Sequence, residues 1–195
     1  MLRRKAWRQL DDKLAALSDF LFATWLEENN ESSWSVGTLA DLATVKYGKD
    51  HSSLADGPYP VYGSGGVMRY AEKYLYDKAS VLIPRKGTLN NVLYVDDPFW
   101  SVDTMFYTVI QDAPTAKYLY HRIKDYDFAS LDTGTSIPSN STKLLNSLVM
   151  ALPPQGTLEV LEGRLHPLYM AIKANESEMA VLDRTRLIQL SQLGR

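Results

Sequence analysis

The sequence predicts an α+β protein in which one compact mixed domain lies between two long amphipathic helices. Apolar residues recur every three or four positions near both ends of the 195-residue chain, which is the period of one helix face. The middle holds eleven of the twelve tyrosines, and its short apolar runs alternate with turn residues as short strands do. A hydrophobic content of 45% and a charged content of 23% are typical of a globular protein.

The first element is a helix predicted over residues 3–28. Its apolar stripe alternates spacings of three and four residues and contains neither glycine nor proline. The stripe consists of Trp7, Leu10, Leu14, Leu17 and Leu21. The loop-forming run "NNESSW" ends the helix, so we place the first segment at residues 1–30.

The second element is the mixed domain, placed at residues 31–156. Strands are predicted at "PVYGSGG", "VMRY", "SVLIP", "NVLYV", "MFYTVI" and "LVMALP", and helices at "TLADLA" and "TAKYLYHRIKDY". About 120 residues is an ordinary size for a domain with one core.

The third element is a helix over residues 157–195. Its stripe keeps heptad spacing through Leu158, Leu161, Leu165, Leu168, Ile172, Met179 and Leu182. Asn175 falls within the stripe, where a polar residue can fix the register, and Pro167 is expected to kink the helix. The two helices could pack on the domain or on each other. Because this one could reach roughly 55 Å, we favour a spacer and assembly surface.

Composition excludes several classes of function. Without cysteine there is no disulfide framework, and His51, His121 and His166 are too isolated in sequence to suggest a metal site. No apolar run is long enough for a membrane helix, so we expect a cytoplasmic protein with no membrane partner. No nucleophile with its base can be named, which argues against an enzyme. Net charge is −2 and no segment is a basic block, so any DNA contact must come from local clusters.

The stretch "IPRKGTLNNVLYV" at residues 83–95 carries such a cluster between two apolar runs. An ordinary hairpin tip needs polar residues and a glycine, but it does not need two adjacent cations followed by a hydroxyl. Arg85, Lys86 and Thr88 can reach phosphates, arginine can grip guanine with two hydrogen bonds, and Gly87 allows a sharp turn. "RKGT" has the wrong order for a Walker loop, and "YGSGGV" lacks the third glycine of a dinucleotide fingerprint.

Several ordered motifs together resemble the DNA-specificity (S) subunits of type I restriction-modification systems. They are "YPVYGSGG", "RKGT", "PFW" followed by "DT" and a tyrosine, "GTSIPS", and "LPP" before a long helix. The tail "LHPLYMAIKANESEMAVLDRTRL" is similar to the distal spacer helix of those subunits, and "LDDKLAALSDFLFATWL" is similar to their central helix. The resemblance covers nearly the whole chain.

This resemblance implies a non-catalytic target recognition domain that reads one half of a split double-stranded DNA target. It also implies an antiparallel coiled-coil spacer. The modification subunits that dock on it would bind S-adenosylmethionine and methylate adenine, and restriction subunits would join the complex. The chain itself would bind no cofactor and no metal. The expected helix-pairing residues are Leu10, Leu14, Leu17, Leu21, Leu165, Leu168, Ile172, Met179 and Leu182.

Polar loop residues are the candidates for DNA contact. They are Arg85, Lys86, Thr88, Lys49, Ser64, Arg69, Lys46, His51, Thr135 and Ser136. For each loop, plain turn chemistry is the alternative. A pure protein–protein assembly module without DNA readout remains a second interpretation of the whole chain.

The chain has one recognition domain where such subunits carry two. It is therefore expected to be a natural half-length subunit or a fragment of a longer one. A half-length subunit would form a homodimer through the helices and read an interrupted palindrome.

Overall fold

A computed structural model describes residues 2–131 and 139–193. The chain divides into two compact units, one of Met1–Asn30 with Glu159–Arg195 and the other of Glu31–Leu158. The first unit is built from two helices, α1 (Leu2–Glu28) and most of α5 (Gln155–Leu193). This is the predicted α+β class with two long flanking helices. The placement of the predicted domain boundaries stays a prediction.

The two long helices of the first unit run antiparallel. Three polar contacts show this, because the residue number of the partner on α5 falls as the residue number on α1 rises. Arg4 forms an ion pair with Asp183, Asp11 accepts a hydrogen bond from Asn175 at 2.7 Å, and Glu28 forms an ion pair with Arg164 at 2.7 Å. The antiparallel pairing implied by the family resemblance is therefore present within one chain.

The buried row of α1 differs from the predicted leucine stripe. Its buried and half-buried positions include Trp7, Asp11, Leu14, Ser18, Leu21 and Trp25. Leu10 and Leu17 are 41% and 43% exposed, so they lie outside this row, and Asp11 and Ser18 take their places. Polar residues are tolerated there because Asp11 bonds to Asn175 and the Ser18 hydroxyl donates to the Ala15 carbonyl at 2.7 Å.

The row of α5 follows the predicted heptad more closely. Leu158, Leu161, Leu165, Leu168, Ile172, Asn175 and Met179 are buried or half-buried. Leu182 is 37% exposed and Asp183, half-buried, takes its place. The helix continues through Pro167, and the predicted kink stays a prediction. Pairing of Leu10, Leu17 and Leu182 across two chains also stays a prediction.

Within its described residues, the second unit contains three sheets and three α-helices. The strands are β1 (Ser35–Thr38), β2 (Thr44–Tyr47), β3 (Tyr59–Gly63), β4 (Gly66–Ala71), β5 (Ser80–Pro84), β6 (Leu93–Val95), β7 (Trp100–Ser101), β8 (Met105–Val109) and β9 (Val149–Leu152). The helices are α2 (Leu39–Leu42), α3 (Ala113–Ile123) and α4 (Thr142–Asn146), with 3-10 turns at Glu31–Ser33 and Phe128–Leu131.

The central sheet is four-stranded and antiparallel, in the order β2-β8-β5-β6. One face carries Val81, Ile83 and Phe106 into the main core, together with residues from all three helices of this unit. The opposite face carries Leu82 and Met105 into a second cluster. This sheet therefore has apolar clusters on both faces, which explains the wholly buried run "SVLIP" of β5.

Two smaller sheets complete the second unit. β3 pairs antiparallel with β4 and parallel with β7, while β1 pairs antiparallel with β9. The helix α3 begins where the Asp112 side chain accepts a hydrogen bond from Thr115 N at 2.8 Å, the usual N-cap arrangement. Strands β1, β2 and β7 were not predicted, while the six predicted strand regions all contain strands.

Candidate nucleic-acid interface

The cationic stretch "RKGT" begins the connection between β5 and β6, which pair antiparallel as predicted. Its backbone is held in place, because Arg85 N and Lys86 N donate to the Thr104 carbonyl at 2.8 and 3.3 Å. Gly87 has φ +85, a left-handed conformation that an L side chain adopts at a cost. Lys86, Gly87 and Thr88 are exposed and Arg85 is half-buried. The tip is therefore a fixed turn with its polar groups toward solvent.

Several loops converge on residues 101–105, which we call the anchor segment. Gly48 N donates to the Met105 carbonyl at 3.1 Å and Lys49 N donates to the Ser101 carbonyl at 2.8 Å. Val102 N donates to the Tyr62 carbonyl at 3.0 Å, which ties in the end of β3. Together with the bonds of Arg85 and Lys86 to Thr104, these contacts bring three segments to one place: "YGK" at residues 47–49, "YGSGG" at residues 62–66 and "RKGT" at residues 85–88.

The "YGSGG" turn also touches the "RKGT" loop. A Cβ added to Gly87 would lie 2.8 Å from Ser64 Oγ, and the Asn91 side-chain amide donates to the Ser64 carbonyl at 2.9 Å. Ser64 and Gly87 are thus direct neighbours, although 22 residues separate them in sequence. The two glycine-containing turns form one continuous surface.

A fourth segment, at residues 139–140, contacts the same surface although it lies much later in the sequence. Asn140 N donates to the Arg85 carbonyl at 2.9 Å, and its buried side chain donates to the Pro84 carbonyl at 2.7 Å. Lys86 and Ser139 form an isolated antiparallel bridge. The predicted contacts Thr135 and Ser136 lie outside the described residues.

The Arg85 side chain is held on two sides. Its Cζ atom lies 5.4 Å from the centroid of the Tyr47 ring, and its Nη1 donates to the Asp103 carbonyl at 3.1 Å. Tyr47 in turn meets Phe106 edge to face, with ring centroids 5.0 Å apart. The guanidinium is therefore connected through one aromatic ring to the buried core.

This surface differs in its ion pairing from Arg69 and Arg122, which pair with carboxylates in the same unit. Within residues 2–131 and 139–193, no carboxylate forms an ion pair with Arg85, Lys86, Lys46 or Lys49. Elsewhere Arg122 pairs with Glu31 at 2.8 Å. In the part of the chain that the structure describes, no ion pair therefore balances the charges of these cations.

The remaining candidates lie at the edges of this surface or away from it. Lys46 is exposed on the edge strand β2, opposite Tyr107. His51 is half-buried and its carbonyl accepts Leu54 N at 3.2 Å in the following turn.

Arg69 is held differently from the other candidates. Its guanidinium donates to the Leu54 carbonyl and to the Asp56 carboxylate, both at 2.9 Å. Asp56 is almost fully exposed, so the pair is a surface ion pair that partly neutralises Arg69. No described contact brings Arg69 to the anchor segment.

Asp50 adds a negative charge near Lys49. Its carboxylate accepts hydrogen bonds from the Ser52 hydroxyl at 2.6 Å and from Ser52 N at 3.1 Å. These bonds, the side-chain one first, lower the pKa of Asp50, so it stays ionised at neutral pH. Asp50 lies beside Lys49 in sequence, and Asp103 lies beside Arg85 through its carbonyl, so each side of the surface has one neighbouring aspartate.

Sequence reasoning missed Tyr47, Asp103, Asn91 and Asn140 as parts of the site. Each of them supports the loops. The "DT" at residues 103–104 and the tyrosine at position 47 were visible in the sequence. Their roles arise from hydrogen bonds and ring contacts between distant segments.

The described part of the chain has no group of three or more His, Asp or Glu residues that could hold a metal ion. None of its helices is both long and apolar enough to cross a membrane.

The comparison with protein families matches residues 31–178 to the type I restriction modification DNA specificity domain. The chain belongs to this family. The comparison with curated proteins returned no match.

Solved structures with this fold include the type I restriction-modification S subunit from M. genitalium. It is 17% identical, with a TM-score of 0.70, and the match covers 94% of this chain and 55% of that one. The HsdS subunit from Thermoanaerobacter tengcongensis is 13% identical, with a TM-score of 0.55 over 90% of this chain and 48% of that one. The match thus spans about half the length of each of these two structures.

A third match comes from a structural study of complex assembly and conformational transition of the type I restriction-modification system. That chain is 13% identical, with a TM-score of 0.53, and the match covers 94% of this chain and 53% of that one. The three structures share the predicted fold of a mixed domain with long helices.

Proposed function

We propose that this chain is a sequence-specific DNA recognition subunit of a type I restriction-modification complex and reads one half of a bipartite target. One observation carries the proposal. Three loops with cations or hydroxyls are fixed on the anchor segment, and their cations have no carboxylate partner among the described residues. Membership of the DNA specificity family supports duplex DNA as the ligand of this surface.

The chemistry of the surface fits duplex DNA. Lys86 and Lys49 are exposed point charges suited to phosphates, and the Thr88 and Ser64 hydroxyls can donate to phosphate or base edges. Arg85 can donate two parallel hydrogen bonds, which suits guanine or a phosphate. Because the net charge is −2, affinity depends on these local contacts and on partners in the complex.

The chain supplies recognition, and the chemistry belongs to its partners. The modification subunits would bind S-adenosylmethionine and methylate adenine, while restriction subunits would join the assembled complex. In this proposal the chain itself has no catalytic residue and needs no cofactor.

The helix pair offers a surface for modification subunits. Besides its buried row, α5 carries a second row whose spacings alternate between three and four residues as far as Ala174 and then reach Val181 after seven. This row consists of Val160, Gly163, Pro167, Met170, Ala174 and Val181. Val160, Met170 and Val181 are 51%, 46% and 64% exposed, and small residues between them allow a partner helix to approach closely. We assign this second row to a helix of a modification subunit.

Pairing of two copies would complete the target. A half-site of a few base pairs is too frequent in a genome to define one target, and two copies related by a twofold axis would read an interrupted palindrome. Leu10 and Leu17, exposed on α1, are candidates for the contact between copies.

Mapping of methylated adenines tests this function. Cells lacking other specificity subunits would carry this chain with its modification subunit, and genomic methylation would be read by sequencing. The proposal expects one interrupted palindrome, which is lost when Arg85 and Lys86 are both changed to Ala. Wild-type complex formation with no methylation and no DNA binding would favour the assembly-module alternative. Methylation of an asymmetric site would contradict pairing of identical copies.

A further inference from the structure

Arg85 differs from an ordinary surface arginine because two groups of the protein, one ring and one carbonyl, contact its guanidinium. The Tyr47 ring lies 5.4 Å from Cζ, and the Asp103 carbonyl accepts from Nη1 at 3.1 Å. A free arginine side chain carries about 2 kcal/mol of rotamer entropy, part of which is lost on binding. An arginine that is already held loses less of it.

The ring that holds Arg85 is itself fixed. Tyr47 ends β2, and its neighbour Gly48 donates to the Met105 carbonyl at 3.1 Å. The ring stands edge to face on Phe106, at an interplanar angle of 65°, and Phe106 is fully buried. Tyr47 is 52% exposed, and its contact with Phe106 favours one orientation of the ring, because aromatic pairs prefer this geometry.

The backbone of Arg85 is fixed as well. Its N–H donates to Thr104 at 2.8 Å, and its carbonyl accepts from Asn140 at 2.9 Å. Within the described residues, one of the five N–H groups of the guanidinium donates a hydrogen bond. The fork therefore keeps donors for an outside pair of acceptors.

We propose that Tyr47 is a positioning residue that orients the Arg85 guanidinium as a bidentate donor toward one acceptor pair of bound DNA. The pair is the O6 and N7 atoms of a guanine or two oxygens of a phosphate, which share the geometry that a guanidinium matches. This inference rests on the proposed function and adds the group that prepares Arg85 for contact.

The first test uses the DNA-free chain. NMR relaxation would give the order parameter of the Arg85 side-chain Nε–H bond in wild type, Tyr47→Phe and Tyr47→Leu. Because phenylalanine keeps the ring, we expect Arg85 to stay ordered in Tyr47→Phe and to become mobile in Tyr47→Leu. The control is Tyr126→Leu, since the Tyr126 ring also packs on a buried phenylalanine, Phe128, at 5.1 Å. A mobile Arg85 in wild type would overturn the proposal.

The second test uses the complex with modification subunits and a randomised duplex library. Affinity for the enriched duplex should fall about 5- to 150-fold in Tyr47→Leu, the range of one bidentate contact to a base, and stay near wild type in Tyr47→Phe. Arg85→Ala should show a similar loss, and the double variant should be no weaker than Arg85→Ala alone. If Arg85→Ala makes the dependence of affinity on salt shallower, the acceptor is a phosphate. If it instead relaxes the preference for one G·C pair, the acceptor is a guanine.

Two outcomes distinguish a failure of the positioning role of Tyr47 from a failure of the proposed DNA recognition. If wild type enriches a sequence but the losses of Tyr47→Leu and Arg85→Ala add fully, Tyr47 acts independently of Arg85 and the positioning role is wrong. If wild type enriches no sequence at all, the proposed function fails, and the role of Tyr47 is then decided by the NMR order of Arg85 alone.

Discussion

Asn175 donates a side-chain hydrogen bond to Asp11 across the antiparallel helix pair at 2.7 Å, within an otherwise mainly apolar row. Asn175 is 9% exposed, so water is a poor substitute for its partner, and Asp11 is half-buried. A buried polar pair of this kind favours one register over its neighbours, since a shifted pairing leaves both groups unsatisfied.

Changing Asn175 to Ala should destabilise the helix pair by about 1–3 kcal/mol, because the Asp11 carboxylate loses its partner. Replacing both residues with Leu should recover that loss. Urea unfolding measures the difference, with Asp12→Ala as the control, since Asp12 is exposed beside Asp11. Equal stability of Asn175→Ala and wild type would show that this pair does not stabilise the helices.

Two leucines on the helices should respond very differently to the same change. Leu165 is fully buried, so Leu165→Asp should unfold the helix pair, since burying an unpaired charge costs several kcal/mol. Leu17 is 43% exposed, so Leu17→Asp should leave the stability of the chain within about 1 kcal/mol. If Leu17 contacts a second copy, the variant should lower the solution mass. An unchanged mass for a dimeric wild type would remove Leu17 from that contact.

Gly87→Ala should distort the site. The position has φ +85, which costs an L residue about 1–2 kcal/mol, and the new Cβ would lie 2.8 Å from Ser64 Oγ. We expect reduced stability and weaker DNA binding, and adding Ser64→Ala should partly recover the stability because it removes the contact. Gly65→Ala is the control, because nothing lies within 4 Å of its added Cβ. Thermal unfolding and DNA binding would be measured for both glycine variants. If Gly87→Ala matched wild type in stability and in binding, as Gly65→Ala should, the two loops would not be coupled.

Tyr118 should make stability fall at alkaline pH. Burial raises its pKa to about 12, and its hydroxyl donates to the Ala151 carbonyl at 2.6 Å. The pKa of a tyrosine in an unfolded chain is about 10, so the unfolded chain loses this proton at a lower pH than the folded chain does. The contribution is therefore complete below pH 10 and is lost as pH rises toward 12. The difference in unfolding free energy between wild type and Tyr118→Phe should shrink over this range, and a constant difference would contradict this assignment.

The helices and most strands were predictable because their signals are local. The spacing of the leucines nevertheless placed Leu10 and Leu17 in the buried row. The sequence pattern could not show that Asp11 is half-buried there instead, because its partner Asn175 lies 164 positions away. The strands β1, β2 and β7 have two to four residues and mixed polarity, so they carry too weak an alternation to be recognised. Their partners are also far along the chain, as in β1 with β9.

The candidate site was predictable loop by loop, but its assembly was not. Arg85, Lys86, Ser64 and Lys49 were selected by residue type. Their convergence depends on backbone bonds to the anchor segment, which no local pattern encodes. Arg69 shows the opposite case, because its ion pair with Asp56 was invisible in the sequence. The support from Tyr47 likewise depends on Phe106, some 59 positions later.

The central claim is that the anchor-segment surface contacts DNA, and salt dependence tests it most directly. The association constant of the complex for its target duplex would be measured against salt concentration, for wild type and for Arg85→Ala with Lys86→Ala. Lys73→Ala with Lys78→Ala is the control, since it removes the same charge from exposed positions outside the site loops.

We expect the site variant to bind more weakly and its slope to be shallower by about 0.9 for each phosphate contact removed, while the control keeps the wild-type slope. A site variant with the affinity and the slope of wild type would contradict the assignment of this surface to DNA.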